Sequence, residues 1–246
     1  MGVVGAPKQM TRRIAAAIPA YQAGRWVGRV ARATARFIPD ILIVDDGSDD
    51  DTAAEARAAG VEVVSIATNQ GKGAALRQAF SILFEQGFDA VLTLDADGQH
   101  IADDIPKLVA RWSAGADLVL GSRQHLFADM CRLRRWSNRL SSSLISVAAG
   151  QRIRDAQTGF RIYSSDLVQA TGFPESRFDA ESAVVVRAAR LGFKFASVPI
   201  TLGFVDGRAT SHYRPVVDSL RIARSVIRAR MEFVLGSRKI HLPVRP

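Results

Sequence analysis

The chain has 246 residues, a mass of 26.7 kDa and 48% apolar residues, enough for one substantial core and too much for a disordered tail or a disulfide-stapled mini-protein. Its single cysteine, Cys131, excludes an internal disulfide and a Cys-rich zinc site, as in a chain of the reducing cytoplasm. Thirty-three Lys and Arg against 24 Asp and Glu give +9 and a pI near 10.5, so the expected partner is anionic: a nucleotide, a phospholipid surface or a nucleic acid.

Short runs of Val, Ile and Leu alternate with segments of helical spacing, the pattern of a mostly parallel α/β sheet with crossover helices. Predicted strands cover 14–18, 41–44, 61–66, 90–94 and 118–121, with a late one at 193–199; predicted helices cover 25–37, 51–59, 72–85, 101–113 and 181–191. Ser48 and the three following aspartates place caps and acids at a helix start, where backbone N–H groups lack partners.

Two further segments are basic and amphipathic. From 132 to 147 an apolar stripe of Leu133, Trp136, Leu140, Leu144 and Val147 runs beside Arg132, Arg134, Arg135 and Arg139. From 216 to 235 the stripe is Val217, Leu220, Ala223, Ile227, Met231 and Val234, with Arg221, Arg224, Arg228 and Arg230 outside it. Each stripe either packs on the core beneath solvated arginines or lies at a membrane interface. No run approaches the roughly 18 residues of unbroken apolar sequence that span a bilayer, and 1–13 lacks the apolar core of a signal peptide. The expected organisation is an N-terminal tail (1–11), one α/β domain (12–215) and a basic amphipathic helix with its tail (216–246).

The sharpest chemical signal is Leu94-Asp95-Ala96-Asp97-Gly98-Gln99-His100, directly after a predicted strand. Residues two apart on extended backbone point the same way, so Asp95, Asp97 and Gln99 converge past the strand end. Such oxygen ligands suit Mg²⁺ or Mn²⁺ with positions left for a diphosphate. Alone, the stretch reads equally as an acidic turn on a permissive glycine. Val44-Asp45-Asp46-Gly47-Ser48 puts a second carboxylate pair after another strand, at the edge where α/β sheets bind ligands, although Asp46 and Ser48 also read as caps.

These residues carry a resemblance. Ile18-Pro19-Ala20-Tyr21, VDDGS at 44–48, NQGKGAAL at 69–76, LDADGQH at 94–100, GSR at 121–123, DAQTGFR at 155–161 and FDAE at 178–181 resemble, in order over about residues 12–215, an inverting family 2 glycosyltransferase. DAQTGFR and Ser211-His212-Tyr213-Arg214-Pro215 are similar to the dolichyl-phosphate mannose or glucose synthase-like branch. The resemblance implies a GT-A fold, a Rossmann-like, mostly parallel sheet with flanking helices. It implies a nucleotide-sugar pocket of Pro19, Tyr21, Asp45, Asp46, Asn69, Gly71, Lys72, Asp95 and Ala96, with Asp46 near the base or ribose and the Gly71–Gly73 turn close to the ligand. The metal ligands would be Asp95, Asp97 and Gln99, with Asp97 also catalytic. Gln22 and Ala23 stand where the family commonly has Asn and Glu, which removes one nucleotide contact.

For a lipid-phosphate acceptor the resemblance points to Arg123, Arg161 and Arg214 as cationic forks, with His212 and Gln157 beside them. Asp155, Gln157 and Thr158 read equally as turn formers. A phosphate acceptor is already anionic and needs no general base; a hydroxyl acceptor needs one, and Asp179 and Glu181 are the candidates, unless they are only helix-start acids. The resulting expectation is a metal-dependent hexosyltransferase using GDP-mannose or UDP-glucose and a polyprenyl phosphate, peripheral at the cytoplasmic face of the membrane, with room for a membrane protein partner. The rivals are a family 2 enzyme acting on a glycolipid or polysaccharide hydroxyl, and a non-catalytic basic protein for membrane or nucleic acid. The chain has no aromatic stacking array, so no nucleic acid is expected.

Overall fold

The computed structural model describes residues 12–123, 132–153, 155–203 and 215–235, with side chains of 132–140 and 215–217 left aside. Among these described residues seven strands form one sheet in the order β3-β2-β1-β4-β6-β5-β7. They are β1 (Ile14–Ala20), β2 (Ile41–Asp45), β3 (Glu62–Ser65), β4 (Ala90–Thr93), β5 (Leu118–Ser122), β6 (Arg161–Ser164) and β7 (Phe195–Pro199). All run parallel except β6, which is antiparallel to both β4 and β5. Among the described residues eight α-helices cover the faces: α1 (Gly24–Ala35), α2 (Thr52–Ala58), α3 (Lys72–Glu85), α4 (Ile105–Ser113), α5 (Arg132–Ala149), α6 (Ser165–Thr171), α7 (Asp179–Arg190) and α8 (Pro215–Val234).

The five inner strands are buried on both faces while the edge strands β3 and β7 are partly exposed, and the two-residue period divides the core in two. Ala15, Ala17, Leu42, Val44, Val91, Leu118, Leu120 and Tyr163 face α3, α5, α7 and α8. Ala16, Ile18, Ile41, Ile43, Leu92, Val119 and Ile162 face α1 and α4. Helix α1 buries Val27, Val30, Ala31 and Thr34, a stripe of helical period. On the other face, Phe80 of α3 stacks on Phe84 and meets Tyr163 and Phe173 edge-on, an arrangement that fixes ring orientation as well as burying area.

The six predicted strands are present, with ends shifted by one or two residues, and α3 spans its predicted range. Helix α4 begins later than predicted, because a 3₁₀ turn over Ala102–Asp104 occupies its expected first turn. Strand β6 and helix α6 were not predicted; α6 starts where Ser164 Oγ accepts from the N–H of Leu167 and stops at Gly172, whose φ is +62°.

Helix α8 belongs to the same core: Ile222, Val226 and Ala229 pack into it beside α7 and α5. The reading in which the 216–235 stripe packs on the core is corrected here. Leu220, Ile227, Met231 and Val234 of that stripe are exposed, and the helix buries the opposite arc. Of the α5 stripe, Leu144 and Val147 are likewise exposed while Ile145 and Ala149 are buried.

Candidate active site

Parallel register brings the carboxyl ends of β1, β2 and β4 to one edge: Ala20 pairs with Asp45, and Thr93 lies level with Ala17. Asp95 follows β4 and is the centre of a charge network. The Lys72 ammonium lies 2.6 Å from Asp95 Oδ1 and 2.9 Å from Glu181 Oε2, bridging the first turns of α3 and α7 to the strand end. Burial would push the Asp95 carboxyl up, but Lys72, helped by the positive field of Arg123, holds it at about 2. The same two carboxylates hold the Lys72 ammonium above its ordinary range against the opposing effect of burial.

His100, buried and stacked on Phe160, accepts the Asp95 backbone N–H at Nδ1 (3.2 Å). Burial drives its pKa down to about 4, so the ring is neutral at pH 7 and its Nδ1 is an acceptor. The sequence reading quoted His100 but gave it no role.

Gly159, from the DAQTGFR stretch, closes over the network. A Cβ on it would stand 2.5 Å from Asp95 Oδ2 and 2.7 Å from Lys72 Nζ, so only glycine lets this segment lie on the ion pair. The Gly159 carbonyl accepts from Thr93 Oγ1 at 2.9 Å. Beside it, Arg123 meets Asp155 in a fork: Nε to Oδ2 at 2.9 Å, Nη2 to Oδ1 at 3.0 Å, with the Arg123 backbone N–H also on Oδ2. Asp155 thus orients Arg123, and its backbone bond from Gln157 shapes the turn. Arg123 stays partly exposed, and Asp95 and Glu181 are both within its field.

Arg161 is corrected by the structure. It is fully buried, and its guanidinium donates to the carbonyls of Thr158, Ala156 and Glu181 and to Tyr163 Oη. It braces the turn and α7 from beneath and does not face an acceptor. Of the two acids considered as bases, only Glu181 joins the network; its Oε1 is buried with no hydrogen-bond partner among the described residues. Asp179 instead accepts from Ser225 Oγ of α8 at 2.6 Å.

On the β2 side, Asp45 Oδ1 accepts from Ser48 N. Asp46 is buried, and its two oxygens accept the N–H groups of Gln70 (2.8 Å) and Gly71 (2.7 Å), so it shapes the turn before α3. Burial raises its carboxyl despite those two donors. The glycines of that turn approach protein: a Cβ on Gly71 would lie 2.6 Å from Ser176 O, and one on Gly73 2.5 Å from Glu175 O. Contact with the 175–177 backbone, where Ala74 N also donates to Ser176 O, therefore requires glycine at both positions.

Pro19, one residue before the end of β1, is in register with Val44, Tyr21 is exposed just beyond the strand, Asn69 is exposed and Ala96 is buried. Gln22 is the one non-glycine among the described residues with left-handed φ (+53°), a conformation Asn adopts more readily. Its N–H donates to Ser48 Oγ at 3.0 Å and its side-chain amide to Asp49. His212 and Arg214 lie outside the described residues.

Asp97 Oδ1 accepts the Gln99 N–H at 3.0 Å, closing an Asx turn that holds both residues next to Asp95. These hard oxygen donors fit Mg²⁺ or Mn²⁺. Among the described residues no three carboxylate, imidazole or thiolate side chains close around one point.

A model of the family described as "Glycosyl transferase family 2" matches residues 16–172. The undecaprenyl-phosphate mannosyltransferase of Micrococcus luteus is 33% identical over 66% of this chain and 71% of its own length. The polyprenol monophosphomannose synthase of Mycolicibacterium smegmatis is 28% identical over 85% and 84% respectively. Glycosyltransferase AglJ of Haloferax volcanii is 33% identical over 66% of this chain, which spans about half of that longer relative (53%). Among solved structures, glucosyl-3-phosphoglycerate synthase of Mycobacterium tuberculosis with Mn²⁺, UDP-glucose and phosphoglyceric acid has the same fold, with a TM-score of 0.69 at 21% identity over 92% of this chain and 80% of that one. On the family match and the Micrococcus relative together, the chain belongs to glycosyl transferase family 2.

Proposed function

We propose that the chain moves a hexosyl unit from a nucleoside diphosphate sugar, GDP-mannose or UDP-glucose, to a polyprenyl phosphate at a membrane surface, inverting the anomeric centre. The observation that carries this reading is the meeting of Asp95, Lys72 and Glu181 with the Arg123–Asp155 fork at one sheet edge. That edge pairs an acidic strand end for the donor's metal with a cation oriented for an acceptor phosphate. The names of the Micrococcus and Mycolicibacterium relatives support the acceptor class.

An acceptor phosphate oxygen forms the new bond to the anomeric carbon as the bond from that carbon to the donor's diphosphate breaks on the opposite face; the products are the nucleoside diphosphate and the hexosyl-phosphoryl lipid. The nucleophile is anionic already, so alignment and charge stabilisation carry the rate. Arg123, held by Asp155, orients the acceptor phosphate. His212 and Arg214 are proposed to join it. Lys72 supplies a fixed positive charge at the diphosphate side, and the Asp46-pinned turn with Pro19, Tyr21, Asp45, Asn69 and Ala96 borders the nucleotide. Asp95, Asp97 and Gln99 would hold Mg²⁺ or Mn²⁺, which when bound neutralises charge on the departing diphosphate.

Transfer of labelled sugar from each donor into organic-extractable lipid, with polyprenyl phosphate and either metal, tests the reading. Metal-dependent label absent from Asp97→Ala supports it; nucleoside diphosphate binding without lipid labelling from either donor refutes it. Glu181 Oε1, which accepts no hydrogen bond among the described residues and has Arg161 Nε 4.0 Å away, favours a second reading, a hydroxyl acceptor with Glu181 as general base. Glu181→Gln separates the two: loss of a base costs about a hundredfold or more in kcat, whereas transfer to a phosphate keeps most of its rate.

A further inference from the structure

Helix α8 has two apolar faces. At about 100° per residue, Asp218, Ile222, Ser225, Val226 and Ala229 fall on one arc, and all five are buried. Leu220, Ile227, Met231 and Val234 fall on the opposite arc and are exposed, Leu220 by 68% and Ile227 by 63%, with Leu235 continuing it. Helix α5 packs on α7 and α8 and adds exposed Leu144 and Val147. Among the described residues, Tyr21 is the one large exposed apolar side chain outside these two helices and Leu235. Singly exposed leucines are ordinary; this concentration on two packed helices is not.

We propose that the outer arc of α8 and the exposed edge of α5 form one docking face for an anionic lipid bilayer. Charge selects this occupant. Arg224 and Arg228 are exposed and line one flank of the apolar arc of α8. Arg224 has no carboxylate partner among the described residues, and Arg228 has only Glu232 at 3.8 Å. The acids of α8 are turned inward or aside: Glu232 binds the buried Arg187, and Asp218 pairs with Arg221. A second copy seated symmetrically on this arc would bring arginine against arginine, whereas anionic headgroups meet those arginines while the aliphatic side chains enter the acyl boundary. No helix among the described residues is long and apolar enough to cross a membrane, so the contact is interfacial.

The face is fastened to the site. Ser225 bonds Asp179 in the first turn of α7, where Glu181 meets Lys72, and Arg187 joins Glu232 of α8 to Glu175, whose carbonyl lies against Gly73. Docking thereby sets the height and tilt of the α3–α7 side of the site over the lipid. The proposal rests on the lipid-acceptor reading for its purpose, and on exposure and charge for its place.

The test is sedimentation of the full chain with phosphatidylcholine vesicles, with and without phosphatidylglycerol. The native chain is expected to pellet with the anionic vesicles and to be released by salt. Ile227→Gln/Met231→Gln lowers partitioning about tenfold or more, and Arg224→Gln/Arg228→Gln lowers it about tenfold on anionic vesicles only. Circular dichroism and melting identify any variant that fails to fold, and Leu220→Gln/Leu235→Gln then takes its place. The proposal is overturned if the native chain stays in the supernatant, if folded variants bind as the native chain does, or if sedimentation velocity shows a dimer that the glutamine pairs dissociate. Transfer to a short, water-soluble prenyl phosphate separates the two readings. Vesicle binding without any such transfer refutes the proposed function and leaves the docking face standing; transfer that the glutamine pairs leave intact, with no vesicle binding by the native chain, refutes only the docking face.

Discussion

Replacing Lys72 by Met removes the one cation among the described residues that touches both Asp95 and Glu181. Its contact distances of 2.6 and 2.9 Å put the two facing carboxylate oxygens at most about 5.5 Å apart, and at an effective dielectric near 20 their repulsion is about 3 kcal/mol or more. Breaking a buried ion pair from one side costs about 3–5 kcal/mol, because the stranded charge keeps its desolvation penalty. Urea unfolding of Lys72→Met at pH 8 is expected to show a deficit in that range. The variant can relieve the repulsion by protonating one carboxyl, so its folded state binds a proton that its unfolded state does not. Its stability relative to the native chain must therefore recover as pH falls below about 6. Lys72→Met/Glu181→Gln should regain more than half of the deficit at pH 8. A loss under about 1 kcal/mol, flat from pH 8 to 5, would refute the reasoning by showing that the carboxylates are solvated when Lys72 is absent.

The lowered pKa of His100, about 4 against 6.5 unfolded, means that the unfolded chain binds more protons between these values, so stability should fall as pH drops through that window. His100→Asn, which retains an acceptor for Asp95 N–H, should flatten the dependence in denaturant titrations, and an imidazole NMR titration near 6.5 in the native chain would contradict the buried assignment. Gly159→Ala places a methyl within 2.7 Å of both members of the Asp95–Lys72 pair; calorimetry should show metal-dependent nucleoside diphosphate binding weakened about tenfold or more, given that displacing either charge by an ångström forfeits its hydrogen bond. Arg187→Met strands Glu175 and takes from Glu232 its buried partner, and should destabilise the fold by about 3–5 kcal/mol, measured by denaturant unfolding, with Glu175→Gln/Glu232→Gln restoring most of the loss.

The strands and the acidic strand ends were legible because they are local: an apolar run between polar turns, and carboxylates one or two residues beyond it. Strand β6 was not, since Arg-Ile-Tyr-Ser opens with a charge; its placement depends on Arg161 finding carbonyls at residues 156, 158 and 181. Helix α8 removed one of the two readings of its stripe, that of packing on the core, for a physical reason. Hydrophobicity alone favours the Leu220–Ile227–Met231 arc for the interior, yet the core took the arc bearing Asp218 and Ser225, because Asp179 and Arg187 offer it hydrogen bonds and ion pairs. The Gly71–Gly73 turn was readable as a glycine requirement, but its cause is the 175–177 backbone about a hundred residues away in sequence, which no spacing reveals. Arg123 and Asp155 were each visible as motif residues, and only the fold makes them a fork.

The direction of one strand has a topological effect on how the cleft is assembled. Arg161, the first residue of β6, lies level with Thr93 and Leu120 near the ends of β4 and β5, and Ser164, the last, lies level with Ala90 at the start of β4. The chain therefore enters the sheet through the doorway by which its neighbours leave, and the turn at 155–160 arrives beside Asp95 without a long excursion. Had β6 run with its neighbours, its four residues at about 3.3 Å each would have delivered that turn some 13 Å away, beneath the sheet. Reversing a single short strand folds an incoming and an outgoing segment into one rim, so the segments that carry donor-side and acceptor-side residues can vary in sequence while their meeting point stays fixed by backbone pairing.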